Sequence, residues 1–413
     1  MITRIKIEGF KSLEKVDLAL GDLNLFIGTN ASGKSNFFDA LRVLQGIGYG
    51  FTFDEILNGK PKSATSEIWE GIRGGSSKAL FSAPHTPQEN RQKGVIRFAV
   101  EISPPGRQFP RVHYSIGFSP EAGCVMEESL AATGGAGPVY DSTPIDNNAG
   151  LPYFKVVYHH GKIGRRPHLE FEKSRPVLHQ LLRRKETSKT HAGILQLCVS
   201  ELSNTQRLDP SPTVLRQYSQ AQTVRRMGEH GENFAALVKT ILGDERAKSA
   251  YLSWLTQLTP TELDDVGILA GALGEPLFAI KEKGVEYPAP ILSDGTLRFA
   301  AIAAAFFQPD LPSVLTIEEI ENGIHPSRLR LLVELLKSQS SLSGQQIMAT
   351  THSPVILAWL KEEDFRTTFF CKRDEETGAS VVIPLSKVPR FSEVVRNGSI
   401  LDLFMEGWLE SAL

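Results

Sequence analysis

Cysteine is scarce in this chain. Its three copies among 413 residues, Cys124, Cys198 and Cys371, stand far apart and match neither a metal-binding nor a disulfide spacing. They are expected as reduced, partly buried thiols of a cytosolic protein. Net charge is lacking as well: 45 Lys and Arg against 47 Asp and Glu leave −2 at pH 7. That balance supplies no global attraction to nucleic acid or to an anionic membrane, so any DNA contact has to come from local patches. No apolar run reaches the roughly 18 residues that span a bilayer. The opening Met1-Ile2-Thr3-Arg4-Ile5-Lys6-Ile7 alternates apolar and polar residues, which suits a strand and not the continuous apolar segment of a signal peptide. A cytoplasmic location, with no membrane partner, is the resulting expectation. Pro and Gly interrupt every candidate heptad run, and no internal repeat is visible.

What is present reads as an ordinary globular protein, with 41% hydrophobic and 22% charged residues. The length allows two to three domains, or one domain with a large insertion. Apolar runs at 16–20 and 23–27 predict strands, and helical spacing follows over 36–44. Alternation at 95–102 and 112–118 predicts further strands, and 234–242 reads as helix. Lys283-Gly284 looks like the turn of a hairpin spanning 276–287. The last third returns to strand–helix alternation, with strands at 314–317 and 346–350, a helix over 327–339 and another from near Pro354. The expected class is α/β, a mixed sheet flanked by helices. Residues 1–45 and 288–413 would build one nucleotide-binding domain. Between them would lie a loop-rich connector (46–92), a β-rich insertion (93–172) and a helical one (173–287).

The clearest motif is Gly28-Thr29-Asn30-Ala31-Ser32-Gly33-Lys34-Ser35-Asn36, a G-x-x-x-x-G-K-S loop between a predicted strand and a predicted helix. Its glycines let the backbone turn tightly, so that successive N–H groups and the helix N-terminus aim at phosphate oxygens. Lys34 would reach the β- and γ-phosphates of ATP, and Ser35 would ligate Mg²⁺. Far downstream, the apolar strand Val314-Leu315-Thr316-Ile317 ends in Glu318-Glu319. Two adjacent acids at a strand end supply one carboxylate for the metal's water shell, assigned to Glu318, and one general base, assigned to Glu319. An acidic helix start would give the same dipeptide, but the P-loop upstream favours the catalytic pair. Ser293-Asp294-Gly295 opens an apolar helix, an arrangement that either caps the helix or binds an anion. His352, in Thr350-Thr351-His352-Ser353-Pro354, ends the next strand, at the edge where ligands of such sheets bind.

Together GTNASGKSN, LSDGTLRF, IEEIENGIHP and THSP, with the opening Gly9-Phe10-Lys11-Ser12-Leu13, resemble the ABC-type ATPase domains of the SMC, RecF and OLD families. The resemblance covers the two ends of the chain and not its middle. It implies that Ser293 and Gly295 contact the γ-phosphate held by another subunit's P-loop, that His352 senses that phosphate in its own subunit, and that 322–326 crosses a dimer interface. It further implies ATP-driven closure of two heads around two nucleotides, then hydrolysis and opening. Glu318 stands where many ABC proteins carry Asp. A Q-loop residue is not singled out among Gln45, Gln88 and Gln92.

The middle has no long coiled coil of the SMC kind. About sixty residues follow His352, too few for the TOPRIM nuclease of full-length OLD proteins, and Asp374-Glu375-Glu376 reads as a solvated turn. No nuclease centre is therefore expected. The leading reading is a stand-alone ATPase that dimerises around ATP and controls a separately encoded effector, a nuclease or toxin of phage defence. A RecF-like DNA clamp is the alternative; it needs Arg165-Arg166, Arg183-Arg184-Lys185 and Arg225-Arg226 to line a groove, whereas solvated helix faces explain them more simply. A non-hydrolysing ATP-dependent scaffold is the third reading. His159-His160 has no metal-binding spacing, and Trp69 to Gly75 is expected as a plain connector.

Overall fold

The computed structural model of the chain describes residues 1–60, 69–83, 94–103, 110–133, 137–142, 152–159, 167–258, 263–389 and 391. The chain forms two compact units.

The first unit comprises Met1–Gly21, Gly28–Thr205 and Phe369–Lys387. Strands β1 (Ile2–Phe10) and β2 (Leu13–Ala19) are followed by β3 (Leu23–Ile27), which belongs to the second unit. Then come β4 (Ile96–Ile102), β5 (Val112–Ser119), β6 (Cys124–Ala132), β7 (Gly137–Ser142), β8 (Tyr153–Tyr158) and β9 (His168–Glu172). Except for β3 these make one antiparallel sheet, ordered β2-β1-β4-β5-β6-β7-β8-β9. Alternation explains it: Ile5 and Ile7 of β1 and Ile96, Phe98, Val100 and Ile102 of β4 face inward, with Lys6 and Arg97 turned out. The rings of Phe53, Phe118 and Phe98 stack beneath that face. Helices α1 (Lys34–Tyr49), α2 (Phe53–Asn58), α3 (Val177–Leu182) and α4 (Lys189–Ser203) complete the unit together with the hairpin β16 (Thr368–Arg373)–β17 (Ser380–Pro384).

One irregularity matters. Where β5 pairs with β6, Gly117 faces Glu127 while Phe118 faces Val125, so Met126 is an inserted residue. The bulge flips the phase of β6 and turns Glu128 into the core. Its carboxylate accepts hydrogen bonds from Tyr140 (2.7 Å), Tyr114 (3.1 Å) and the amides of Val177 (2.8 Å) and Leu178 (3.3 Å). Burial nonetheless pushes its pKa up to about 7.

The second unit comprises Asp22–Ile27, Gln206–Thr368 and Val388–Leu413. Strand β10 spans Thr205–Leu208 and is followed by α5 (Pro212–Leu215), α6 (Phe234–Leu242) and α7 (Glu245–Leu258). The antiparallel β11 (Leu263–Ala270), β12 (Pro276–Glu282) and β13 (Val285–Pro288) include the expected hairpin, which turns at Lys283 and Gly284, both with positive φ. Helix α8 (Asp294–Phe306) precedes β14 (Val314–Ile317), and α9 (Leu329–Ser343) precedes β15 (Gln346–Thr351). β10, β14, β15 and β3 lie side by side in that order. β14, β15 and β3 are parallel, with Ile317 opposite Ala349 and Thr351 opposite Ile27. β14 and β15 are buried throughout, as a parallel sheet covered on both faces requires. The expected helix at 327 begins as a 3₁₀ turn, Pro326–Arg328, and the one near Pro354 is a 3₁₀ stretch, Pro354–Trp359. The expected final helix at 400–410 lies outside the described residues.

Candidate functional site

In the first unit, the loop 28–35 wraps around its own lysine. Lys34 Nζ donates to the carbonyls of Gly28 (2.7 Å) and Thr29 (2.8 Å) and to Ser32 Oγ (3.3 Å). Gly33 has φ +104°, a conformation closed to side chains, and a Cβ there would also collide with Ser380 of β17. At Gly28 a Cβ would fall on the Cys371 carbonyl of β16. The loop can therefore lie where it does only with glycine at both positions. Thr29, Asn30 and Ala31 stay exposed, with Ala31 at φ +63°, while Ser35 and Asn36 open α1 half-buried.

Side chains not singled out by the motif brace this loop. Ser12 Oγ accepts from Asn36 Nδ2 (2.6 Å) and bonds Ser380 Oγ (2.6 Å). Asp39, one turn along α1 from Ser35, is buried between Lys11 and Arg73. Arg73 also donates to the Ser35 carbonyl (2.5 Å). Burial lowers the pKa of the Lys11 ammonium, against the pull of Asp39. Beside Ser35 and Asn36 opens a solvent-facing basin of about 830 Å³, with Lys11, Arg73, Lys78 and Arg373 on its walls. Cations, hydroxyls and the first turn of a helix make it a place for an anion. The stretch 69–75 thus packs on the P-loop helix through Arg73 and is more than a connector.

In the second unit, β14 ends in a tight turn. Glu319 takes φ +48°, left-handed for a non-glycine residue. Its N–H donates to Thr350 Oγ1 (2.9 Å), and the N–H of Ile320 to the Thr350 carbonyl (3.1 Å). The Glu319 side chain, about half exposed at 52%, lies 3.6 Å from His352 Nε2. Glu318 turns the other way, to Arg207 (2.9 Å), which also holds Glu229 (3.0 Å). The two acids therefore project to different sides. Glu321 Oε1 accepts the N–H of His352 (2.6 Å). Ser293 caps α8, its Oγ accepting from the Thr296 amide (3.2 Å). Gly295 meets the loop after Glu321, where a Cβ would strike the Gly323 carbonyl.

Residues 1–64 match a family described as "AAA ATPase domain", and residues 200–358 one described as "AAA domain, putative AbiEii toxin, Type IV TA system". Among solved structures, the chain is similar to an Smc head bound to the C-winged helix domain of ScpA, at 16% identity and a TM-score of 0.53, covering 94% of this chain and 99% of that one. An Smc head with an extended coiled coil, bound to the C-terminal domain of ScpA from Pyrococcus furiosus, is similar at 14% identity and a TM-score of 0.52, covering 96% and 99%. The chain carries a P-loop ATPase domain with the fold of Smc heads. A Helicobacter pylori ATP/GTP phosphatase is 32% identical over 107 residues, which is 24% of this chain and only 28% of that protein's length.

Several residues outside these motifs find structural partners. Gln45 is buried in α1, its amide donating to the Thr205 carbonyl (2.5 Å); Gln88 and Gln92 lie outside the described residues. Arg225 forms a bidentate pair with Asp310, and Arg184 lies over the Phe171 ring, while Arg183 and Lys185 are exposed. Arg165, Arg166 and His160 lie outside the described residues, and His159 bonds Asp141 (2.9 Å). Asp374, half-buried, closes its own turn through Thr377, and Glu375 and Glu376 are exposed as expected. All three thiols are free, Cys198 and Cys371 being buried; burial drives Cys371 up to about 12, far from thiolate reactivity. Among the described residues, no helix is long and apolar enough to cross a membrane.

Proposed function

We propose that this chain binds and hydrolyses ATP, closes head to head with a second copy around the nucleotide, and thereby controls a separately encoded effector. One observation carries the reading. The parallel strands β3, β14 and β15 end at the same edge of their sheet, and each is followed at once by a motif: the P-loop at Gly28, Glu318-Glu319, and His352. That edge is where open α/β sheets receive ligands.

The amides of 28–35 and the α1 N-terminus would hold the triphosphate, with Lys34 exchanging loop carbonyls for β- and γ-phosphate oxygens. Glu319, exposed beside His352, suits deprotonation of the attacking water, and His352 the sensing of the γ-phosphate. A hydroxyl and a carboxylate are oxygen donors of the kind magnesium takes: Ser35 borders the basin and Glu318 pairs with Arg207. Mg²⁺ would neutralise phosphate charge, held by Ser35 and through water by Glu318. The Ser293 hydroxyl, exposed at the start of α8, and the Gly295 amide would complete a second copy's site. The family description that mentions a toxin of a type IV system supports a role in such a system; the separately encoded effector and the cytoplasmic location belong to the same proposal.

The test is phosphate release and gel filtration of the native protein and of Glu319→Gln, with ATP and Mg²⁺. Turnover should fall by about 100-fold or more in the variant, which should keep binding ATP and elute as a larger species. Unchanged turnover and elution would refute the assignment.

A further inference from the structure

We propose that Arg298 is a positioning residue through which α8, the helix opened by Ser293, sets the turn that carries Glu319; this rests on the ATPase reading above. Arg298 lies five residues beyond Ser293 in α8 and is 3% exposed. Its Nη2 donates to the carbonyls of Glu318 (2.8 Å) and Glu319 (3.2 Å), and its Nη1 to the Pro210 carbonyl (2.8 Å) and Asp209 Oδ1 (3.3 Å). The planar guanidinium spreads these donors in a fixed fork, which an ammonium cannot reproduce.

The turn it grips is one that needs holding. A residue with a side chain stays at φ +48° only where its surroundings impose it. Two sides of the turn are fixed by different elements. The N–H groups of Glu319 and Ile320 are taken by Thr350 of β15, and the carbonyls of Glu318 and Glu319 by Arg298 of α8. Glu321 extends the first grip, through the N–H of His352. α8 touches the same segment again at its first turn, where Gly295 leaves no room for a Cβ against the Gly323 carbonyl. A displacement of α8, such as engagement of Ser293 by phosphate would produce, cannot leave the Glu319 backbone where it was. Arg298 touches no reacting atom in this account; it acts by placing Glu319.

Arg298→Lys keeps the charge and loses the fork, and Arg298→Met loses both. We would measure steady-state ATP hydrolysis, binding of a fluorescent ATP analogue and thermal melting, each also in the Glu319→Gln background. A misplaced base predicts kcat lower on the order of 10- to 100-fold in Arg298→Lys, with KM, analogue affinity and melting close to native. In Glu319→Gln the same change should cause no further loss, because both act on one group. A kcat within about twofold of native, or a loss that multiplies with that of Glu319→Gln, overturns the proposal. So does an Arg298→Lys protein that no longer folds or binds the analogue, since Arg298 is then framework only. Absence of turnover in the native chain refutes the ATPase reading itself, and the same assay separates the two failures.

Discussion

Glu128 makes the stability of the first unit depend on pH near neutrality. Its carboxyl is fully buried and its pKa rises from 4.5 to about 7, because lost hydration outweighs the four hydrogen bonds it accepts. Each pKa unit is worth about 1.4 kcal/mol, so the linkage amounts to about 3 kcal/mol. The sign follows from the proton count. Between the two pKa values the folded state binds more proton than the unfolded chain, so stability falls as pH rises. The contribution is complete below pH 4.5 and gone above about 7. The buried neighbours do not interfere: Tyr114, Tyr140 and Cys198 are all shifted upward by burial first, and stay neutral over this range. Glu128→Gln removes the titration and leaves any packing cost as a constant. Urea unfolding of both proteins between pH 5 and 8 should show the native chain losing about 2–3 kcal/mol relative to the variant. Parallel curves would show that the carboxyl is ionised throughout and that its four donors dominate.

Other outcomes are equally specific. Gly33→Ala forces a side chain into φ +104° and against Ser380, at about 1–2 kcal/mol for the backbone alone; ATP-analogue binding should be lost, and retention at native affinity would show that the loop can rearrange. Ser12→Ala strips the shared partner from Asn36 and Ser380 in a site 3% exposed. It should cost about 1–3 kcal/mol in urea unfolding and weaken nucleotide binding as well; a change below about 0.5 kcal/mol would mean that water replaces the hydroxyl.

The P-loop was legible because its requirements are local. A strand, a glycine that can turn, a lysine and a helix start follow each other within a dozen residues, and the geometry at Gly33 is a property of glycine alone. The parallel strands were legible for the same kind of reason, since runs such as Val314 to Ile317 are apolar without alternation. The bracing of the loop was not. Nothing around Arg73 signals that it will sit on Asp39 and Ser35, 34 and 38 residues earlier in the chain. Arg298 left one trace, a cation at the head of an apolar helix, but its acceptors are backbone carbonyls of a turn 20 residues away.

Sequence alone determined where a tight glycine loop runs into a helix start, because that depends on backbone freedom and side-chain type at fixed spacing. Tertiary structure decided how those residues are held and which others share the work. Met126 bulges out of β6 and sends Glu128 inward, against the alternation that local pattern would continue. Glu319 is driven into a left-handed turn by β15 and α8 together. Both outcomes come from partners distant in the chain, whose positions no local propensity encodes.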